Sequence, residues 1–178
     1  MSFLFNVLGF KVAWLSSVMG AAKGFPALGP IVVLFVVALH LYRSSSPRRE
    51  LMLVVMTGAI GLTWDSIMVA LGWLSYESGA VAPGLAPYWI IAMWMSFATT
   101  LNLSFRWLRD RPVLASLLGA ISGPASYLIG ANLGAVTFLN QQMAVVGMAV
   151  AWSVLMPVLL LLARHYDGYE RQYQHQLA

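Results

Sequence analysis

The sequence predicts an all-α, polytopic membrane bundle of six transmembrane helices with both termini on the cytoplasmic side. Three observations predict it. The first is composition: 60% of the 178 residues are apolar and 9% charged, against about 45–50% and about 25% in soluble domains. So few charges cannot clothe a water-facing surface of this size. The second is segment length, because apolar runs near the ~20 residues needed to cross a bilayer core recur six times between charged or Pro/Gly/Ser-rich breaks. The third is the placement of arginine. Arg43, Arg48 and Arg49 follow the second run, Arg106, Arg109 and Arg111 the fourth, and Arg164 and Arg171 the sixth, whereas the opposite loops carry only Lys23. The positive-inside rule then places both ends in the cytoplasm, as an even number of spans requires.

The first span, 3–22, carries Asn6 and Lys11; Gly20-Ala21-Ala22 resembles a signal-peptide cleavage site, but no basic residue precedes Lys11, so a retained span is the expectation. The second, 26–42, opens with Pro26 and Pro30, which a first helical turn tolerates. The third, 51–74, holds Asp65 on a face with Gly58, Gly61 and Gly72. The fourth, 88–107, aligns Tyr88, Thr99, Asn102 and Arg106 on one face, with Trp107 at the inner boundary. The fifth, 113–139, contains Gly123-Pro124, expected to kink it. Its Ser116, Gly119, Gly123, Ser126, Gly130 and Gly134 recur every three or four residues, a smooth stripe for close helix approach. The sixth is 143–163, after which Tyr166, Tyr169 and Tyr173 fall at helical spacing, suiting either a short interfacial helix or a frayed end. No long linker interrupts 1–178, so one integral membrane domain is expected. A faint repeat, Gly58-Ala59-Ile60-Gly61 against Gly119-Ala120-Ile121 with Gly123, is compatible with stacked hairpin units.

Ionisable groups inside the membrane are costly and therefore candidates for function. Lys11 and Asp65 qualify, at about 12 Å and about 21 Å from the cytoplasmic ends of their spans by helical rise. They either pair, or Lys11 snorkels while Asp65 serves as a neutral hydrogen-bonded packing residue. Asn6 and Asn102 lie at similar depth, and a bond between their amides is the economical arrangement, with a headgroup or phosphate site built from Asn6, Asn102 and Arg106 as the alternative. His40 is expected to be an interfacial side chain. With His165 and His175 it forms no pair at ligand spacing, so no metal is predicted. The absence of cysteine excludes disulfides and thiolate chemistry. No hydrolase elbow, phosphate-binding loop, paired carboxylates, His-rich box or Asp-rich diphosphate motif is present, no cofactor is called for, and whether the protein is an enzyme stays open. Arginines that flank spans form no nucleic-acid stripe.

Tyr88-Trp89 through Trp94, Phe97-Ala98-Thr99-Thr100-Leu101-Asn102, Ser104 and Trp107-Leu108, together with Asn6, Trp14, Gly20-Ala21-Ala22, Asp65-Ser66, Gly119-Ala120-Ile121, Gly123-Pro124, Tyr127 and Leu133-Gly134-Ala135, resemble a small bacterial inner-membrane protein family of unknown function. Lys11 stands where that resemblance implies a glutamine. The resemblance covers nearly the whole chain and implies a multi-span bundle whose genes often neighbour those of cyclopropane-fatty-acid-synthase-like enzymes. The expected function is an accessory component of membrane-lipid modification, with membrane lipids and lipid-modifying enzymes as partners. Two rivals are a small transporter or flippase with a midplane site at Asp65, and an intramembrane enzyme using Asp65 with Tyr127 or Asn102. Oligomeric state is not legible, although the glycine stripes permit self-association.

Overall fold

The structure is a computed structural model that describes residues 3–170. Six helices carry the chain: α1 (Phe3–Ala22), α2 (Leu28–Arg43), α3 (Pro47–Ala70), α4 (Tyr88–Leu101), α5 (Pro112–Asn132) and α6 (Gln141–His165), with two short strands, β1 (Leu74–Tyr76) and β2 (Val136–Phe138). Four of them, α1, α3, α5 and α6, are long and apolar enough to cross a membrane; α2 and α4 are apolar but shorter. Arg171, Tyr173 and His175 lie outside the described residues.

The expected segments move at four places, one of them the end of α3, which stops at Ala70 and not at 74 because Gly72 turns the chain. α3 starts at Pro47, because a proline suits the first position of a helix and Glu50 suits the positive end of its dipole. The Arg48-Arg49-Glu50 run is thus helix, not a break. α4 stops at Leu101 instead of reaching 107, and the chain continues through tight turns and a single 3-10 turn, Arg106–Leu108. The fifth helix ends at Asn132, short of the expected 139, because Gly134 adopts φ +85° and the β-branched and aromatic Val136-Thr137-Phe138 go into β2. α6 gains a cap, as the Asn140 side chain accepts the Met143 N–H at 3.2 Å.

Helices α1, α3 and α5 end alike. Gly24, Gly72 and Gly134 all have positive φ, and the residue after each donates back into the last turn: Phe25 to the Gly20 carbonyl at 2.7 Å, Trp73 to Met68 at 3.1 Å and Ala135 to Gly130 at 3.0 Å. These are Schellman ends, which need a left-handed residue that glycine supplies without strain. Gly72 and Gly134 are therefore caps and do not belong to the packing stripes in which the sequence placed them.

The hairpins α3–β1–α4 and α5–β2–α6 repeat each other. Leu71-Gly72-Trp73-Leu74-Ser75-Tyr76 corresponds to Leu133-Gly134-Ala135-Val136-Thr137-Phe138. β1 and β2 pair antiparallel with Leu74 opposite Phe138, Ser75 opposite Thr137 and Tyr76 opposite Val136, so the equivalents Ser75 and Thr137 meet at a local two-fold axis that exchanges the two flanking pairs. Gly61 and Gly123 stand equally far before their caps and do the same work. A Cβ on Gly61 would lie 2.2 Å from Cγ of Trp94, and one on Gly123 would lie 2.3 Å from Cγ of Trp152. Each glycine thus admits one indole of its own hairpin, and the two indoles stack at the centre, with centroids 4.8 Å apart and an interplanar angle of 18°. Gly58 and Gly119 provide the same clearance for Met95 and for the Trp152 backbone. The α1–α2 hairpin packs on α4. Large apolar side chains such as Phe35, Ile121 and Val150 point outward on the periphery.

Candidate functional site

Three polar or open features stand out. The first surrounds Asp65, which is fully buried on the Gly58/Gly61 face of α3, as the sequence reading expected. Three elements converge on its carboxylate. Tyr127 of α5 donates its hydroxyl to Oδ1 at 2.8 Å, the Trp94 indole of α4 donates to Oδ2 at 2.7 Å, and Tyr76 of β1 donates in close contact to Oδ1. Tyr76 stays a donor, since burial first and the adjacent carboxylate second push its phenol well above the ordinary range. Asp65 and Tyr127 occupy equivalent positions of the two hairpins, so the repeat has placed an acceptor on one side of the axis and a donor on the other.

Lys11 takes no part. It is exposed, and among the described residues it forms no ion pair. The physical reason lies in the start of α3. With Pro47 as the first residue, Asp65 lies about 27 Å from that helix end, and the axial gap to Lys11 grows to about 15 Å, beyond a lysine stem. Asp65 is consequently within two turns of the opposite end of α3 and not at the middle of the helix.

The second feature lies at the other end of the bundle. Glu50, fully buried, is held by His40 Nε2 at 2.8 Å, by Asn102 Nδ2 at 2.5 Å and by the Gly168 N–H at 2.7 Å. Asp167 bridges Arg106 and Arg109, each at 2.8 Å, and Arg109 also donates to Oδ1 of Asn102. Tyr169 is buried with its hydroxyl donating to the His40 carbonyl at 2.5 Å, and burial followed by the nearby Glu50 charge raises its phenol so that it remains protonated. The segment after α6 thus clasps the α2–α3 and α4–α5 connections. Two expectations are corrected here. His40 is not interfacial, since Glu50 on the next helix draws it inside. Asn6 and Asn102 do not bond each other: Asn6 donates to the Thr99 carbonyl at 3.0 Å and accepts from Ser104 at 2.5 Å, while Asn102 serves Glu50 and Arg109. Glu50 and Asp167 were missed as site residues. A signal existed for Glu50, which extends at helical spacing the stripe that runs through Val54, Thr57, Gly61 and Asp65. No comparable signal marked Asp167.

The third feature is a cleft of about 440 Å³ between α1 and α5, floored by α4 and Trp152. Its walls are aromatic and aliphatic, with Lys11, Ser122, Ser126 and Tyr127 as polar groups. The repeat supplies a counterpart between α3 and α6, a groove of about 370 Å³ lined by Ile60, Trp64 and Leu155 among others. There Ile60 and Trp64 stand where Ser122 and Ser126 stand in the cleft, and no helix plays the part of α1. Among the described residues no cluster of three His, Asp or Glu side chains is placed to hold a metal ion.

No curated protein and no solved structure matches the chain. A family model matches residues 3–158, a region that includes the cleft, Asp65, Glu50 and the arginines that receive Asp167, and ends before Asp167 itself. This chain belongs to the family described as Protein of unknown function (DUF2878).

Proposed function

We propose that the protein is a six-span bacterial inner-membrane protein, both termini cytoplasmic, that holds the acyl chain of a membrane lipid in the cleft between α1 and α5 and thereby serves as an accessory component of membrane-lipid modification. The cleft carries this reading. Its walls are apolar, its volume falls in the range of small-ligand sites, and it opens on the flank of the bundle where lipid would lie. Seven described arginines at the ends of α2, α4 and α6 and the starts of α3 and α5 support the orientation. The short α4 is compatible with a crossing because the turns after it are buried in protein, where irregular backbone at membrane depth is tolerated. Asp65 weighs against the transporter and enzyme readings, since its own helices occupy both oxygens and it sits away from the midplane.

The counterpart groove supplies the test. Ser126→Trp fills the cleft with the side chain that Trp64 already places in the groove. In membranes containing a photoactivatable acyl phospholipid, wild-type protein should cross-link on peptides of α1 and α5, and S126W should lose that labelling while keeping labelling elsewhere. Equal labelling of all lipid-facing helices in both proteins would sink the proposal.

A further inference from the structure

The polar groups of the cleft are unequal in kind. Lys11 is cationic, Ser122 and Ser126 are hydroxyls, and no carboxylate or amide side chain lines the wall. Tyr127 has its hydroxyl committed to Asp65, and Ser126 donates to the Gly123 carbonyl at 2.8 Å. Trp152, only 8% exposed and part of the wall, has an indole N–H with no acceptor among the described residues. Its stacked partner Trp94 has the Asp65 carboxylate, so the repeat leaves one of two equivalent donors unsatisfied. A buried unpaired donor is costly. The cleft therefore offers the cationic Lys11 and lacks a fixed anion, while the Trp152 N–H is enclosed by protein and not presented to it.

Position narrows the ligand. Lys11 lies about 12 Å, a little over two turns, from the Phe3 end of α1, below the layer in which a phospholipid phosphate rests. The cleft, about 440 Å³ and open on one side, takes an apolar chain along its aromatic wall. Resting on the lipid-cleft reading, we infer that the ligand is a long-chain fatty acid in its anionic form, its carboxylate paired with Lys11 and its chain lying along the aromatic wall. A free fatty acid is either drawn from or returned to the acyl pool by ester hydrolysis or acyl activation, the reaction classes that would supply or consume it.

Trp14 and Trp152 in the wall make the ligand visible, because bromine quenches indole fluorescence at contact. Purified full-length protein in mild detergent is titrated with dibrominated stearate, with its methyl ester and with a dibrominated phosphatidylglycerol. The acid should quench at concentrations at least about tenfold lower than the ester, as expected for a charge-assisted contact in an apolar site. Lys11→Met should bring acid and ester together, Lys11→Arg should restore the preference, and Trp152→Phe should keep it with smaller quenching amplitude. Lys11 is exposed, so its variants should keep the fold, which an unchanged gel-filtration profile checks. Equal binding of acid and ester by the wild type overturns the carboxylate assignment and leaves the lipid cleft standing. Phosphatidylglycerol binding as tightly as the acid overturns it in favour of a phosphate head. No quenching by any of the three overturns the cleft reading itself.

Discussion

Asp65 and Glu50 are both carboxylates buried on the same stripe of α3, near its two ends, and they are accommodated by opposite means. Asp65 is answered by three neutral donors, two phenols and an indole. Glu50 is answered by a histidine, an amide and a backbone N–H, and Asn102 couples it to an assembly of two guanidiniums and a second carboxylate. The difference follows from what each end can recruit. The Glu50 end lies among the arginines that mark the helix ends, so ionic partners are at hand. The Asp65 end holds among its charged groups only the exposed Lys23 and Glu77, and aromatic side chains supply the donors instead. One end is therefore an ionic clasp, and the other a neutral hydrogen-bonded knot.

That contrast can be broken experimentally. Asp65→Leu should be the most damaging change, about 3–5 kcal/mol, because it leaves three donors without their shared acceptor; Asp65→Asn, which keeps one acceptor oxygen, should cost less. Thermal unfolding in mild detergent reads both, and a leucine variant as stable as wild type would show that Asp65 does not hold the knot. Glu50→Leu should cost about 2–3 kcal/mol in the same assay, less than Asp65→Leu because Asn102 keeps the Tyr166 carbonyl as an acceptor at 3.3 Å. Reversal of this order would mean that the clasp, and not the knot, dominates. Asp167→Ala should have the smallest effect, about 1–2 kcal/mol, as Arg106 is 20% exposed and its pairing is screened. Its cost should shrink as salt rises while that of Asp65→Leu should not, and a salt-independent Asp167→Ala would erase the distinction between the two ends.

Much of the molecule was legible along the chain. α1 matches its expected bounds, and the glycines at 58, 61, 119, 123 and 130 face neighbours or lie buried as small-residue spacing predicted. Asp65 points inward as its face required. The faint glycine repeat was aligned one residue out of register: in the hairpin repeat Gly61 corresponds to Gly123, but Gly58 corresponds to Ala120. The clearest signature of that repeat, Leu-Gly followed by a short β-forming run, lay within expected spans and was read there as helix. The misplaced boundaries have one cause: hydropathy records that a residue is apolar and not whether its backbone can remain helical, so the capping roles of Gly72 and Gly134 and the turns after Leu101 were invisible to it.

By itself the sequence determined the apolar character of the helices, their number and which faces are smooth, because these depend on composition and on periodicity along one segment. The tertiary structure alone decided who answers each buried carboxylate, that Lys11 lines a cleft instead of pairing with Asp65, and that Asp167 returns to the arginines of the α4–α5 connection. Those are contacts between residues distant in the chain, and their geometry follows from where helices start and stop and how close a glycine lets them come, quantities that no single segment contains.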